Sequence, residues 1–146
     1  MKYVNLGNTD IKVSRICVGG MSFGEASENF HQWTLDKDDT QAMIEHAYGL
    51  GVNFIDTANV YSSGTSEEYI GAALKSLGIP RDKVVLASKV YFNDGKLSRE
   101  AILREVEGTL TRLQTDYLDL YQIHRFDYDY HAHCLLLRLA QGMGYL

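Results

Sequence analysis

The chain has 146 residues, enough for one domain with a respectable core, and its 45% hydrophobic and 23% charged residues suit an ordinary soluble globular protein. A net charge of −5 leaves no basic footprint, which argues against nucleic acid or an anionic membrane surface as partner. The two cysteines, Cys17 and Cys134, have no metal-type spacing and fit a reducing compartment; a polar N-terminus and the lack of any membrane-length apolar run point to the cytoplasm.

In chain order, residues 3–6 and 11–13 read as a hairpin around the turn-forming Gly7-Asn8-Thr9-Asp10. Residues 15–20 read as a buried strand opening into a loop at paired glycines, and residues 21–35, with Trp33, as irregular. A helix is expected from Asp36, with Met43, Ile44, Ala47 and Leu50 on its apolar face and Gly51 as the left-handed residue after it. Residues 52–56 form the next strand. Ser66 is expected to cap a second helix with Glu67 and Glu68 at its positive end, and Ile70, Ala73, Leu74 and Leu77 line it until Gly78 and Pro80 stop it. Strand 84–89 follows, then a helix from Ser98 with Ile102, Val106, Leu110 and Leu113 inside, then strand 117–124. Regular alternation of strand and helix implies a parallel sheet.

Three successive strands each end in an ionisable side chain: Asp56, Lys89 and His124, with Tyr61 five residues beyond the first. In parallel sheets wrapped by helices, chemistry sits at the carboxyl ends of the strands. An ammonium beside a phenol stabilises the phenolate, and a carboxylate keeps that ammonium charged. An imidazole on the same rim can hold a carbonyl oxygen. Together they would protonate an alkoxide as a hydride reaches carbon, and the hydride must come from a nicotinamide cofactor. Each residue also has an ordinary reading: Asp56 as a loop or cap carboxylate, Tyr61 as one of 10 tyrosines, Lys89 as a solvated strand end, and His124 as a structural histidine. Core packing does not ask for all four at successive strand ends.

The segment FIDTANVYSSGTSEEYIGAAL resembles the signature of aldo-keto reductases, and LGNTDIKVSRICVGGMSFG, ASKV and DYLDLYQIHR agree with it. The resemblance runs almost continuously from Met1 to about Asp129. It implies an α/β fold, a partial (β/α)8 TIM barrel with an N-terminal hairpin and about four parallel strands alternating with helices. It implies NADPH-dependent reduction of aldehydes or ketones, with NADP(H) as cofactor and a small carbonyl compound as substrate. By the same resemblance Tyr61 is the general acid, Lys89 lowers its pKa, Asp56 pairs with Lys89, and His124 orients the carbonyl. Gly20, Met21 and Asp56 are implied near the nicotinamide, and Trp33 near the substrate, where a buried structural tryptophan is an equal alternative.

A barrel of this kind takes about 250 residues. Residues 1–129 therefore read as its N-terminal half, and 130–146 (YHAHCLLLRLAQGMGYL) as an atypical apolar tail in place of the next helix. The expectation is a truncated or frame-shifted product with little turnover by itself, because the family's basic residues for the 2′-phosphate belong to the other half. His131, His133 and Cys134, with Asp127 or Asp129, could offer metal ligands, but so unpatterned a segment supplies no fixed geometry, and no metal site is expected. Two other readings stand beside the enzyme. One is a non-catalytic regulatory module of the same fold, such as a potassium-channel subunit. The other is a half-barrel that self-associates through its open sheet edges or apolar tail.

Overall fold

A computed structural model of the chain describes residues 1–27 and 30–128. The tail 130–146 and the candidate ligands Asp129, His131, His133 and Cys134 lie outside the described residues. Strands β1 (Tyr3–Asn5) and β2 (Lys12–Ser14) form the antiparallel hairpin, one residue from the expected register limits, with Gly7 at φ 56° in its turn. Asn53 ties the hairpin to the start of the next strand: its Oδ1 accepts from Ser14 N at 2.7 Å and its Nδ2 donates to Lys12 O at 2.9 Å.

Strands β3 (Cys17–Gly19), β4 (Phe54–Asp56), β5 (Val85–Val90) and β6 (Leu120–Ile123) pair in parallel and in chain order. The helices α1 (Lys37–Gly49), α2 (Thr65–Ser76) and α3 (Arg99–Leu113) connect them, with α2 packed between α1 and α3. The alternation read from the sequence is therefore the observed architecture, the open arc of a strand–helix barrel. Its core lies between sheet and helices, where Ile55, Leu86, Val90 and Tyr121 meet Ile44, Ile70, Leu74, Val106 and Leu113. Each such side chain contributes about 1.5–3 kcal/mol by leaving water. Among the described residues, β3 and β6 are the sheet's edges.

Three local expectations are corrected. The strand expected to be buried, β3, has Cys17 and Gly19 exposed, because among the described residues it is a sheet edge. Met43 and Leu50 are 46% and 60% exposed, and the buried stripe of α1 is Thr40 and Ile44 with Ala47 and Tyr48 beside them. A stripe centred on Ile44 leaves Met43 about 100° round the helix, and Leu50 lies past the last turn. Ser66 is no cap. The residue before α2 is Gly64, at φ 98°, and the Ser66 hydroxyl turns inward to the Gly20 carbonyl. The other two starts hold as expected or nearly so: Asp36 accepts from the amides of Asp38 and Asp39, and Ser98 from that of Ala101. Among the described residues, no helix is long and apolar enough to cross a membrane.

Candidate active site

Asp56 is the last residue of β4, and Gly19 and Ala87 flank it across the sheet. Directly after it, Thr57 and Asn59 continue to bond β5, through Ala87 O and Lys89 O, so the chain leaves the sheet slowly and passes over its rim. Tyr61 then opens a short 3-10 turn. Ser62, Ser63 and Gly64 follow with φ of 45°, 55° and 98°. Two successive left-handed residues with side chains are strained and persist only where neighbours over-determine them. Here Ser62 Oγ bonds Phe23 O at 3.3 Å, Thr65 Oγ1 donates to Ser62 O at 2.8 Å, and Gly24 leaves the space that a Cβ would take 2.5 Å from Ser62 Cβ.

Lys89, near the end of β5, has its Nζ 2.6 Å from Asp56 Oδ2, 2.8 Å from Thr57 O and 3.3 Å from Tyr61 Oη. Three acceptors take all three N–H groups of a charged ammonium. Because the Tyr61 oxygen accepts from lysine, its own O–H is left to donate elsewhere. The Asp56 and Lys89 side chains are only 29% and 16% exposed, so solvent screens the pair weakly. His124, just past β6, is held through its amide to Val90 O at 3.0 Å. Its ring stands edge-on to Tyr61 at 5.6 Å and to Phe92 at 5.0 Å. Burial, then the Lys89 charge, hold its pKa below the ordinary 6.5, so the ring is neutral near pH 7. Its Nδ1 is buried without a hydrogen-bond partner among the described residues.

The rim thus brings Asp56, Tyr61, Lys89 and His124 together. Gly20 is buried directly behind them: its carbonyl accepts from Ser66 Oγ at 2.7 Å, and a Cβ there would lie 3.0 Å from Thr57 Oγ1. The Ser66 proton being spent, Thr57 donates to Ser66 across 3.0 Å. Met21 and Trp33 are 41% and 56% exposed, and Trp33 stacks on His31 at 4.3 Å. Cys17, on β3, is exposed as a residue while its sulfur is partly shielded. Burial and the Asp56 carboxylate push its thiol up to about 11, which keeps it protonated. Among the described residues, no cluster of His, Cys, Asp and Glu could hold a metal ion.

The sequence reading missed Gln122, whose Nε2 donates to Asp56 Oδ1 at 3.1 Å. Strand alternation offered the signal, since Gln122 lies two residues before His124 and on its face.

A family model described as the aldo/keto reductase family matches residues 15–146. The chain is 38% identical to aldo-keto reductase AMT2 of Alternaria alternata, over 86% of this chain and 42% of that protein. It is 39% identical to versiconal hemiacetal acetate reductase of Aspergillus parasiticus, over 87% and 43% respectively. To a probable voltage-gated potassium channel subunit beta of Oryza sativa subsp. japonica it is 36% identical, over 87% and 38%. The chain therefore spans about two-fifths of the length of these curated relatives. Among solved structures, a thermostable aldo-keto reductase in complex with epalrestat superposes with a TM-score of 0.75 at 31% identity, covering 89% of this chain and 45% of that one. The holo form of an aldo-keto reductase from Bacillus halodurans gives 0.72 at 34%, covering 88% and 42%. The four-stranded arc is accordingly part of a (β/α)8 barrel.

Proposed function

Because the chain belongs to the aldo/keto reductase family, we propose that its sheet rim is the catalytic centre of an NADPH-dependent reductase that converts aldehydes or ketones to alcohols, with Tyr61 as the general acid. The observation that carries this reading is the threefold engagement of Lys89 Nζ with Asp56, Thr57 O and Tyr61. The open backbone beside Asp56 supports a nicotinamide ring being held there. Gly19 is exposed there, and nothing lies within 4 Å of where its side chain would begin. Gly20, Met21 and Asp56 would hold that end of the cofactor, and NADPH when bound supplies the hydride.

Neutral His124 donates one N–H to the substrate's carbonyl oxygen and fixes its direction. Tyr61 O–H donates to the same oxygen and passes its proton there as negative charge develops. Lys89 stabilises the phenolate left behind. A full charge pair at 3.3 Å is worth about 5 kcal/mol at an effective dielectric of about 20. Asp56 holds the Lys89 ammonium in place at 2.6 Å throughout, and Trp33, 56% exposed on its loop, would meet the outer part of a substrate.

The test is NADPH oxidation with 4-nitrobenzaldehyde. The rate for residues 1–146 by themselves is expected to be low, so it is measured at high enzyme concentration. Tyr61→Phe is expected to lower it at least about 100-fold. Equal rates in the two proteins would overturn the assignment. The potassium-channel relative favours a second reading, a module that binds cofactor without turnover; NADPH binding with no Tyr61-dependent rate would support it. The edges at β3 and β6 also offer a second copy a place to pair, which light scattering would reveal as a dimer.

A further inference from the structure

Asp56 is gripped from two sides. One oxygen, Oδ2, takes the Lys89 ammonium at 2.6 Å, and the other, Oδ1, takes the Gln122 amide at 3.1 Å. The three residues come from three adjacent strands, with Lys89 and Gln122 directly opposite each other in the β5–β6 register. A carboxylate held by one oxygen alone still turns, because its terminal torsion is broad. Lys89 would then follow Asp56 away from Tyr61, since the 2.6 Å bond is shorter than the 3.3 Å contact to the phenol. The amide supplies a second donor without a second positive charge, so it does not compete with Lys89 as the carboxylate's cationic partner.

We propose that Gln122 is a positioning residue: by pinning Asp56 Oδ1 it fixes the carboxylate that holds Lys89 against Tyr61. The proposal rests on the catalytic reading of Asp56, Lys89 and Tyr61 given above.

Urea unfolding of the 146-residue chain tests it, with Gln122→Leu and Gln122→Glu each made alone and together with Asp56→Ala. Gln122→Leu is expected to lower the folding equilibrium constant about tenfold when Asp56 is present and less than about twofold once Asp56 is alanine. In Gln122→Glu the introduced carboxyl can replace the amide as donor only while protonated; once ionised it repels Asp56. Its folding equilibrium constant relative to the native chain is therefore expected to fall about tenfold between pH 4 and pH 7. That fall should vanish in the Asp56→Ala background. A side chain that merely fills space predicts equal costs in both backgrounds and no such pH dependence, and that result overturns the proposal.

Carbon-13 NMR of ring-labelled tyrosine adds the readout at the phenol. The Tyr61 Cζ resonance, assigned by its loss in Tyr61→Phe, should move in Gln122→Leu; an unmoved resonance also overturns the proposal. If Gln122→Leu does not fold, the pH ratio for Gln122→Glu decides. None of these readouts needs turnover. A native chain that reduces no aldehyde counts against the catalytic reading alone, and the Gln122 result stands or falls separately.

Discussion

Replacing Arg112 by leucine should be among the most damaging single changes to the fold. Glu67, in the first turn of α2, is fully buried, and its Oε2 is bonded by Arg112 Nε at 2.7 Å. Its Oε1 takes the Ser88 hydroxyl of β5 at 2.6 Å. One carboxylate thus joins α2, the inner strand β5 and α3. Leucine keeps much of the arginine's apolar stem but leaves a buried charge with a single hydroxyl donor. Breaking a buried pair in this way costs about 3–5 kcal/mol, and whole domains have only about 5–15 kcal/mol to lose. Making Glu67→Gln as well removes the stranded charge, so the double variant should recover at least about 1.5 kcal/mol relative to the sum of the two single changes. Urea unfolding followed by far-ultraviolet circular dichroism at pH 7 gives all three values. Additive losses, within about 0.5 kcal/mol, would refute the claim that Arg112 matters chiefly as the counter-charge of Glu67.

Three further outcomes are expected. Gly71→Ala on α2 would put a Cβ 2.6 Å from the Leu113 carbonyl carbon and oxygen of α3, so the helices must part at a cost of about 1–3 kcal/mol, measurable as a lowered melting temperature. Asp36→Ala removes the acceptor for the Asp38 and Asp39 amides and should cost about 1 kcal/mol in urea unfolding; no change would show that water replaces the cap freely. Because His124 titrates below 6.5 in the folded chain, the unfolded chain takes up the proton first as pH falls. Its contribution is present above pH 6.5 and is lost as pH drops through the folded value. His124→Gln should therefore lose less stability than the native chain between pH 7 and pH 5, and parallel curves would remove the argument.

The backbone plan was legible because apolar runs, glycines and the single proline, Pro80, punctuate it locally. Ser98 could be read as a cap, and the end of β4 could be placed at Asp56, from a few neighbouring residues. The meeting of Asp56, Lys89 and His124, with Tyr61 just beyond β4, was legible for a related reason: strand ends in a parallel sheet gather at one rim, so their sequence positions already imply proximity. Interactions between distant residues were not legible. Glu67 reads as an acid at the positive end of a helix until the fold brings Arg112, 45 residues later, against it. The same holds for Arg81, whose guanidinium bonds Asp119 at 2.8 Å and lies over the Tyr117 ring at 3.8 Å. Ser66 misled because a serine at a helix start usually caps, whereas here the buried Gly20 carbonyl was the nearer need. Local preference gives way where a buried acceptor lacks a donor.

The full commitment of the Lys89 hydrogens reaches beyond acid–base chemistry. An amine with every N–H occupied, and only 16% of its side chain exposed, offers electrophiles no lone pair and little access. Lys2, Lys12, Lys37, Lys75, Lys83 and Lys96 all face solvent. Graded treatment with acetic anhydride or formaldehyde–borohydride should modify those six first. Late labelling at Lys89 would then mark the moment the rim comes apart, a chemical clock for local opening that needs neither cofactor nor substrate.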